Sequence, residues 1–157
     1  SAGDIEESIK YFKDELEILE KLYKQDNETW AEDYPKSLNN LASLYANLKQ
    51  FNESSKFFEK SYEIRNFEEF NNIRYFIIMW IKWYQCEKYL NNVIKIKKLE
   101  KLALESVNSY KKKLEKFYLA EIEKIFVEYE NYAKNSKNNF EKEKFEIFKI
   151  FFYNDKI

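Results

Sequence analysis

The chain has 157 residues and a net charge of −1, with 35% of its residues charged and 19% aromatic. That length fits one domain able to bury roughly 70% of its unfolded surface, and the near-neutral balance gives no global field for nucleic acid or an anionic membrane. It has no histidine, one cysteine, one glycine and one proline, which excludes histidine-based acid–base or metal chemistry, an internal disulfide, thiolate metal centres, glycine-rich phosphate loops and a turn-rich β fold.

Ser1-Ala2-Gly3 reads as an expression scar, and the sole methionine, Met79, is no initiator, so the sequence is expected to be a fragment or a processed chain. No basic segment followed by an apolar stretch marks a signal peptide. The lone thiol, Cys86, reads as a small buried hydrophobe that fits a reducing cytoplasm. Helix one is expected from Asp4 to about Gln25, where Ile5, Ile9, Phe12, Leu16, Leu19 and Tyr23 step by four and three. Asp26 to Glu28 is a turn. Pro35 belongs in the first turn of helix two, which runs to about Leu48. Leu38, Leu41, Ala42 and Tyr45 form one helical stripe, and Ser54, Phe58, Ser61 and Tyr62 form a second on helix three, from Glu53 to Arg65. Asn52 is the expected cap of helix three, with Phe51 stapling the turn.

Helix four, capped by Asn66 with Glu68 and Glu69 in its first turn, is apolar nearly all round through Phe70, Ile73, Phe76, Ile77, Met79, Trp80, Trp83 and Tyr84. It should be the most buried element, and its uninterrupted apolar run, Tyr75 to Ile81, is far too short to span a bilayer. Helix five starts near Leu90 or Asn91. A helical period continues from Leu104 to about Ala133 with a break near Asn108 to Lys113. Asn135 to Asn139 is a loop, and a last helix from Phe140 to Tyr153 closes the end with Phe145, Phe148 and Phe152. The fold class is therefore all-α, with about seven helices.

Within Leu38–Ile64 the small residues Ala42, Ser54 and Ser61 fall where two helices must approach, and Leu41, Tyr45 and Phe58 fill the layer between them. This stretch resembles a tetratricopeptide repeat. SLNNLASLY followed by FNESSKFFEKSYEIR is similar to the long-period repeats of kinesin light chain and of bacterial multidomain proteins of this class, with Leu48 standing where the family often has glycine. The resemblance implies a right-handed stack of antiparallel helix pairs. A half-repeat would occupy residues 4–25, a repeat 30–65, a degenerate repeat 67–103 and capping helices 104–157. Pairing Phe51 with Tyr89 aligns the degenerate repeat: Ala42 becomes Trp80, Ser54 becomes Asn92 and Ser61 becomes Leu99, so its helices should pack further apart.

The resemblance also implies a non-enzymatic module that binds a peptide or helix of a partner protein, as an adaptor or scaffold. Asn40 takes the position whose amide holds a ligand backbone, with Asn39, Ser43, Asn47 and Lys36 within a turn of it. The plainer alternative is that Asn39 and Asn40 only solvate a helix face. Asn40 pairs with Ile78 in the second repeat, which disfavours a basic clamp for an acidic terminus. Self-association or intramolecular docking through helix one is a second reading, and a ligand-sensing domain of a larger regulator or NTPase a third. Lysines 95, 97, 98 and 101, then 111, 112, 113 and 116, form basic runs, but interrupting glutamates and the absence of arginine there disfavour nucleic acid. No membrane partner, metal or cofactor is called for.

Overall fold

The computed structural model describes residues 2–64 and 72–153; the expected cap Asn66, the acidic pair Glu68 and Glu69, and Phe70 lie outside them. Among the described residues there are seven α-helices and no strand. They fall into two compact units, one holding the chain up to Ile64 together with Tyr89–Asn91, the other holding 72–88 and 92–153.

The first unit contains α1 (Ala2–Gln25), α2 (Asp33–Asn47) and α3 (Phe51–Ile64). Asp26 ends the turn after α1 by accepting hydrogen bonds from the Thr29 amide (3.2 Å) and hydroxyl (2.5 Å), and that hydroxyl holds its carboxyl below the usual range. Pro35 sits in the first turn of α2, where its missing N–H costs nothing. The seam of α1 packs on α2 in two clusters, Ile9 with Leu41 and Tyr45, and Leu19 with Tyr34 and Leu38. Since α1 numbers rise as α2 numbers fall, the two run antiparallel. The α2–α3 pair does the same: the Ser54 hydroxyl donates to the Ala42 carbonyl (2.7 Å) and the Ser61 hydroxyl to the Pro35 carbonyl (3.1 Å). Serine at these sites removes bulk and satisfies its own buried oxygen on the opposite backbone, so the Cα atoms of α2 and α3 lie within 8 Å along their length.

Helix α3 starts at Phe51, two residues ahead of the expected Glu53, so Asn52 stands inside the first turn and does not cap it. The reason is the turn before it. Leu48 closes α2, and Lys49 adopts a left-handed φ of 58°. The Lys49 N–H then donates to the Ala46 carbonyl and the Gln50 N–H to the Tyr45 carbonyl, each at 2.9 Å. This Schellman arrangement uses the position where glycine is normally favoured. The left-handed residue is therefore Lys49, one place beyond Leu48.

The second unit contains α4 (Ile73–Tyr89), α5 (Val93–Leu114), α6 (Phe117–Asn135) and α7 (Asn139–Phe148), which passes into a π-helical turn, Lys149–Tyr153. Asn72 and Asn92 cap α4 and α5 by accepting from the Tyr75 and Lys95 amides. The turn after α4 repeats the earlier one forty-two residues on: Asn91 has φ 53° and the Asn92 N–H donates to the Glu87 carbonyl. Leu48 thus corresponds to Leu90 and Phe51 to Val93, and the sequence pairing of Phe51 with Tyr89 is off by one helical turn. In this register Ala42 becomes Tyr84 and Ser54 becomes Ile96. The expected wider packing holds, because α4 and α5 hardly meet at a Cα distance of 8 Å.

Aromatic rings fill that gap. Trp80 is fully buried, donates its indole N–H to the Leu99 carbonyl (2.8 Å), and stacks on Tyr84 at 4.7 Å. Phe151 and Phe152 close on it at 5.0 and 5.1 Å. The wider π turn delivers both consecutive rings to one tryptophan. The break expected near Asn108 to Lys113 falls instead at Glu115, with φ 49° and ψ −121°, because that lysine run continues the helix.

Candidate functional site

The five residues singled out in the sequence all stand on α2, and the fold divides them. Lys36, Asn40 and Asn47 are exposed and Ser43 is half-buried. Their spacing of four, three and four puts them on one strip of the helix, on the side opposite the stripe Leu38, Leu41, Ala42 and Tyr45 that is buried against α1 and α3. Asn39 lies outside the strip: it is 1% exposed. One residue of offset turns a helix by about 100°, enough to carry Asn39 from the open strip into the interior while Asn40 stays outside.

From Lys36 to Asn47 the strip rises about 16 Å, the length of roughly five extended residues or three helical turns. It offers two amides that both donate and accept, a hydroxyl and one ammonium. Such a surface matches backbone and polar side chains of a second polypeptide. It contains no nucleophile paired with a base. Among the described residues no cluster of acids or cysteine could hold a metal ion, and no helix is long and apolar enough to cross a membrane.

Two lysines of the neighbouring helices, Lys13 and Lys60, lie over tyrosines on the buried side of α2, away from the strip. Lys13 is raised above the usual lysine range by the Tyr45 hydroxyl. At Lys60 burial pulls the ammonium down, but the Tyr34 hydroxyl and Glu20 outweigh it and leave it raised. Both are therefore firmly cationic at neutral pH and flank α2 with fixed positive charge.

The equivalent strip of α4 is visible once the turns are superposed. Lys36, Asn40 and Ser43 correspond to Ile78, Lys82 and Gln85. In the second unit Gln85 is buried, its side-chain N–H₂ donating to the Phe140 carbonyl (2.7 Å) and to the Glu143 carboxylate (3.3 Å) of α7. Lys82 is half-buried, and burial together with the Lys144 ammonium lowers it to about 8 against the pull of Glu141. Two of the four corresponding positions on α4, Lys82 and Gln85, thus lie against α7, while the partner of Asn47, Tyr89, is exposed. Sequence reasoning missed this because it weighed only the apolar residues of this helix; the signal is that Lys82 and Gln85, two long polar side chains, stand a turn apart among the tryptophans and tyrosine of its centre.

Residues 35–67 match the Tetratricopeptide repeat family, a span that takes in all of α2 from its proline and all of α3. No curated protein and no solved structure matches the chain.

Proposed function

We propose, starting from the tetratricopeptide repeat at residues 35–67, that the chain is a non-enzymatic protein-interaction module, an adaptor or scaffold of the kinesin-light-chain-like or bacterial multidomain kind acting in the cytoplasm. Its partner lies along Lys36, Asn40, Ser43 and Asn47. The observation that supports this reading is the contrast between the two strips: on α2 it is open, and on α4 two of the corresponding side chains, Lys82 and Gln85, lie against α7, with Gln85 donating to a backbone carbonyl of that helix. The covered part of the α4 strip is a template for what the open one holds, and it favours a helical segment over an extended peptide. Asn39, being buried, supports the helix from within and does not touch the partner.

Site-specific photocrosslinking tests this. A crosslinker placed at position 40 or 47 should capture a partner segment that a crosslinker at the exposed Lys10 of α1 does not. Titrating that segment against Asn40→Ala and Asn47→Ala should show a loss of about tenfold each, the worth of one or two polar contacts. Equal affinity for wild type and both variants would discard the site.

A second reading, self-association through α1, is favoured by one observation. Tyr11 and Ile18, 67% and 61% exposed, stand two turns apart on the outer face of α1. Light scattering over a concentration range decides it: a mass that stays monomeric throughout removes this reading.

A further inference from the structure

The α5–α6 corner carries a second surface, unconnected with the strip on α2. A cavity of about 370 Å³ opens there, with Ile73, Tyr110 and Leu114 as its apolar floor and Phe117, Lys113 and Glu121 at its rim. Its size is at the small end of pockets that hold ligands, ~300–1,000 Å³. Phe117 stands beside it 61% exposed, a large ring left in water.

The backbone at this corner is strained. Glu115 takes φ 49° and ψ −121°, a region nearly reserved for glycine. This reversal starts α6 at Phe117 and turns that ring outward next to the cavity, while its neighbour Tyr118 is buried.

Lysines cluster near the opening, with Lys113 on the cavity wall and Lys116 over the lining ring of Phe117. Lys111, Lys113 and Lys116 lie over the rings of Tyr118, Tyr110 and Phe117 at 5.7, 5.9 and 5.4 Å, which holds their ammonium groups near the aromatic surface. The acids that oppose them are Glu115 and Glu121, and Glu121 is already paired with Lys124 at 3.2 Å. The corner therefore combines an apolar hole with a cationic rim.

The geometry points to a docking site for an acidic protein segment that inserts one large apolar side chain, such as leucine, into the cavity while its flanking carboxylates meet Lys113 and Lys116. Charge complementarity selects an acidic occupant, and the apolar floor selects a side chain over a phosphate. Nucleic acid fits less well: the corner has no arginine, and a carboxylate, Glu121, stands on the cavity wall.

The test is fluorescence anisotropy on the full chain with two labelled peptides of aspartate and glutamate, one with a single central leucine and the other with serine in its place. The leucine peptide should bind about tenfold more tightly than the serine peptide. Phe117→Ala should abolish that preference, and Lys113→Glu with Lys116→Glu should weaken both peptides by about tenfold or more. Asn40→Ala should leave the affinity of both of these peptides unchanged while it weakens binding of the α2 partner, which separates this site from the strip on α2. All of these side chains are exposed, so circular dichroism should show an unchanged fold. The proposal is overturned if neither peptide binds, if leucine and serine peptides bind alike, or if the lysine variants have no effect. It also fails if a single-stranded oligonucleotide or phosphatidylserine vesicles bind more tightly than the leucine peptide with the same dependence on Lys113 and Lys116.

Discussion

The α2–α3 and α4–α5 pairs share a turn and differ in what lies between their helices. Each turn has a leucine, a left-handed residue and one connecting residue before the next helix. Between α2 and α3 stand Ala42, Ser54 and Ser61, and the backbones nearly touch. Between α4 and α5 stand Trp80, Tyr84 and Tyr110, and the gap is filled by rings that α7 and its π turn also supply. The close pair is held by backbone approach and buried hydroxyl bonds; the wide pair depends on a third element. The turn therefore does not dictate helix separation. The bulk of a few facing side chains does.

The largest expected effect breaks the wide pair. Trp80→Ala removes a fully buried indole whose N–H is bonded to Leu99, and should cost about 3–5 kcal/mol, read as loss of amide protection in α4, α5 and α7 by hydrogen exchange. In the close pair the damaging change is the reverse one. Ala42→Leu adds volume where the Ala42 carbonyl meets Ser54, and should cost about 1–3 kcal/mol in denaturant unfolding. If Ala42→Leu is neutral, the two seams are not distinguished by bulk.

Lys82 on α4 carries a pH signature. Lys82 titrates near 8 in the folded chain, against 10.5 when unperturbed. Below pH 8 both folded and unfolded chains hold its proton, and the cost of the half-buried charge is fully present. Between about 8 and 10 the unfolded chain binds more protons, so stability rises with pH. Discounted for partial exposure, the gain is about 1–2 kcal/mol. Above pH 10 the trend reverses, because burial raises Tyr129 in the folded chain while unfolded tyrosine ionises. Urea melts across this range should show the rise, and Lys82→Met should flatten it.

The smallest expected effect concerns the shared turn. Lys49→Gly should stabilise the chain by about 0.5–1 kcal/mol by relieving a side chain at positive φ. Asn91→Gly should give less, since asparagine tolerates this conformation better than lysine. Thermal melts of the two variants compare them directly.

The interior was readable from spacing. Leu38, Leu41, Ala42, Phe58, Trp80 and Trp83 are buried as their periodicity requires, because a core stripe is written in residue type. Three things were not. The turns are marked by backbone angle, and with Gly3 as the only glycine the left-handed positions fell to Lys49, Asn91 and Glu115, which carry no such mark. The second pair was consequently aligned on aromatic residues that look alike and stand a turn apart. The candidate site was legible as a polar face, but the burial of Asn39 was not: it sits at the edge of the stripe, where neighbouring helices decide exposure and the helical period does not.

The placement of tryptophan gives the molecule its own optics. Trp30 packs against the Leu19, Tyr34 and Leu38 cluster of the first unit, whereas Trp80 and Trp83 are buried in the second. Indole emission shifts to the red on reaching water, so replacing Trp30 by phenylalanine leaves a signal from the second unit alone, and replacing Trp83 lightens the opposite side. The difference between those two spectra along a denaturation curve shows whether the repeat and the aromatic unit melt in one step or two.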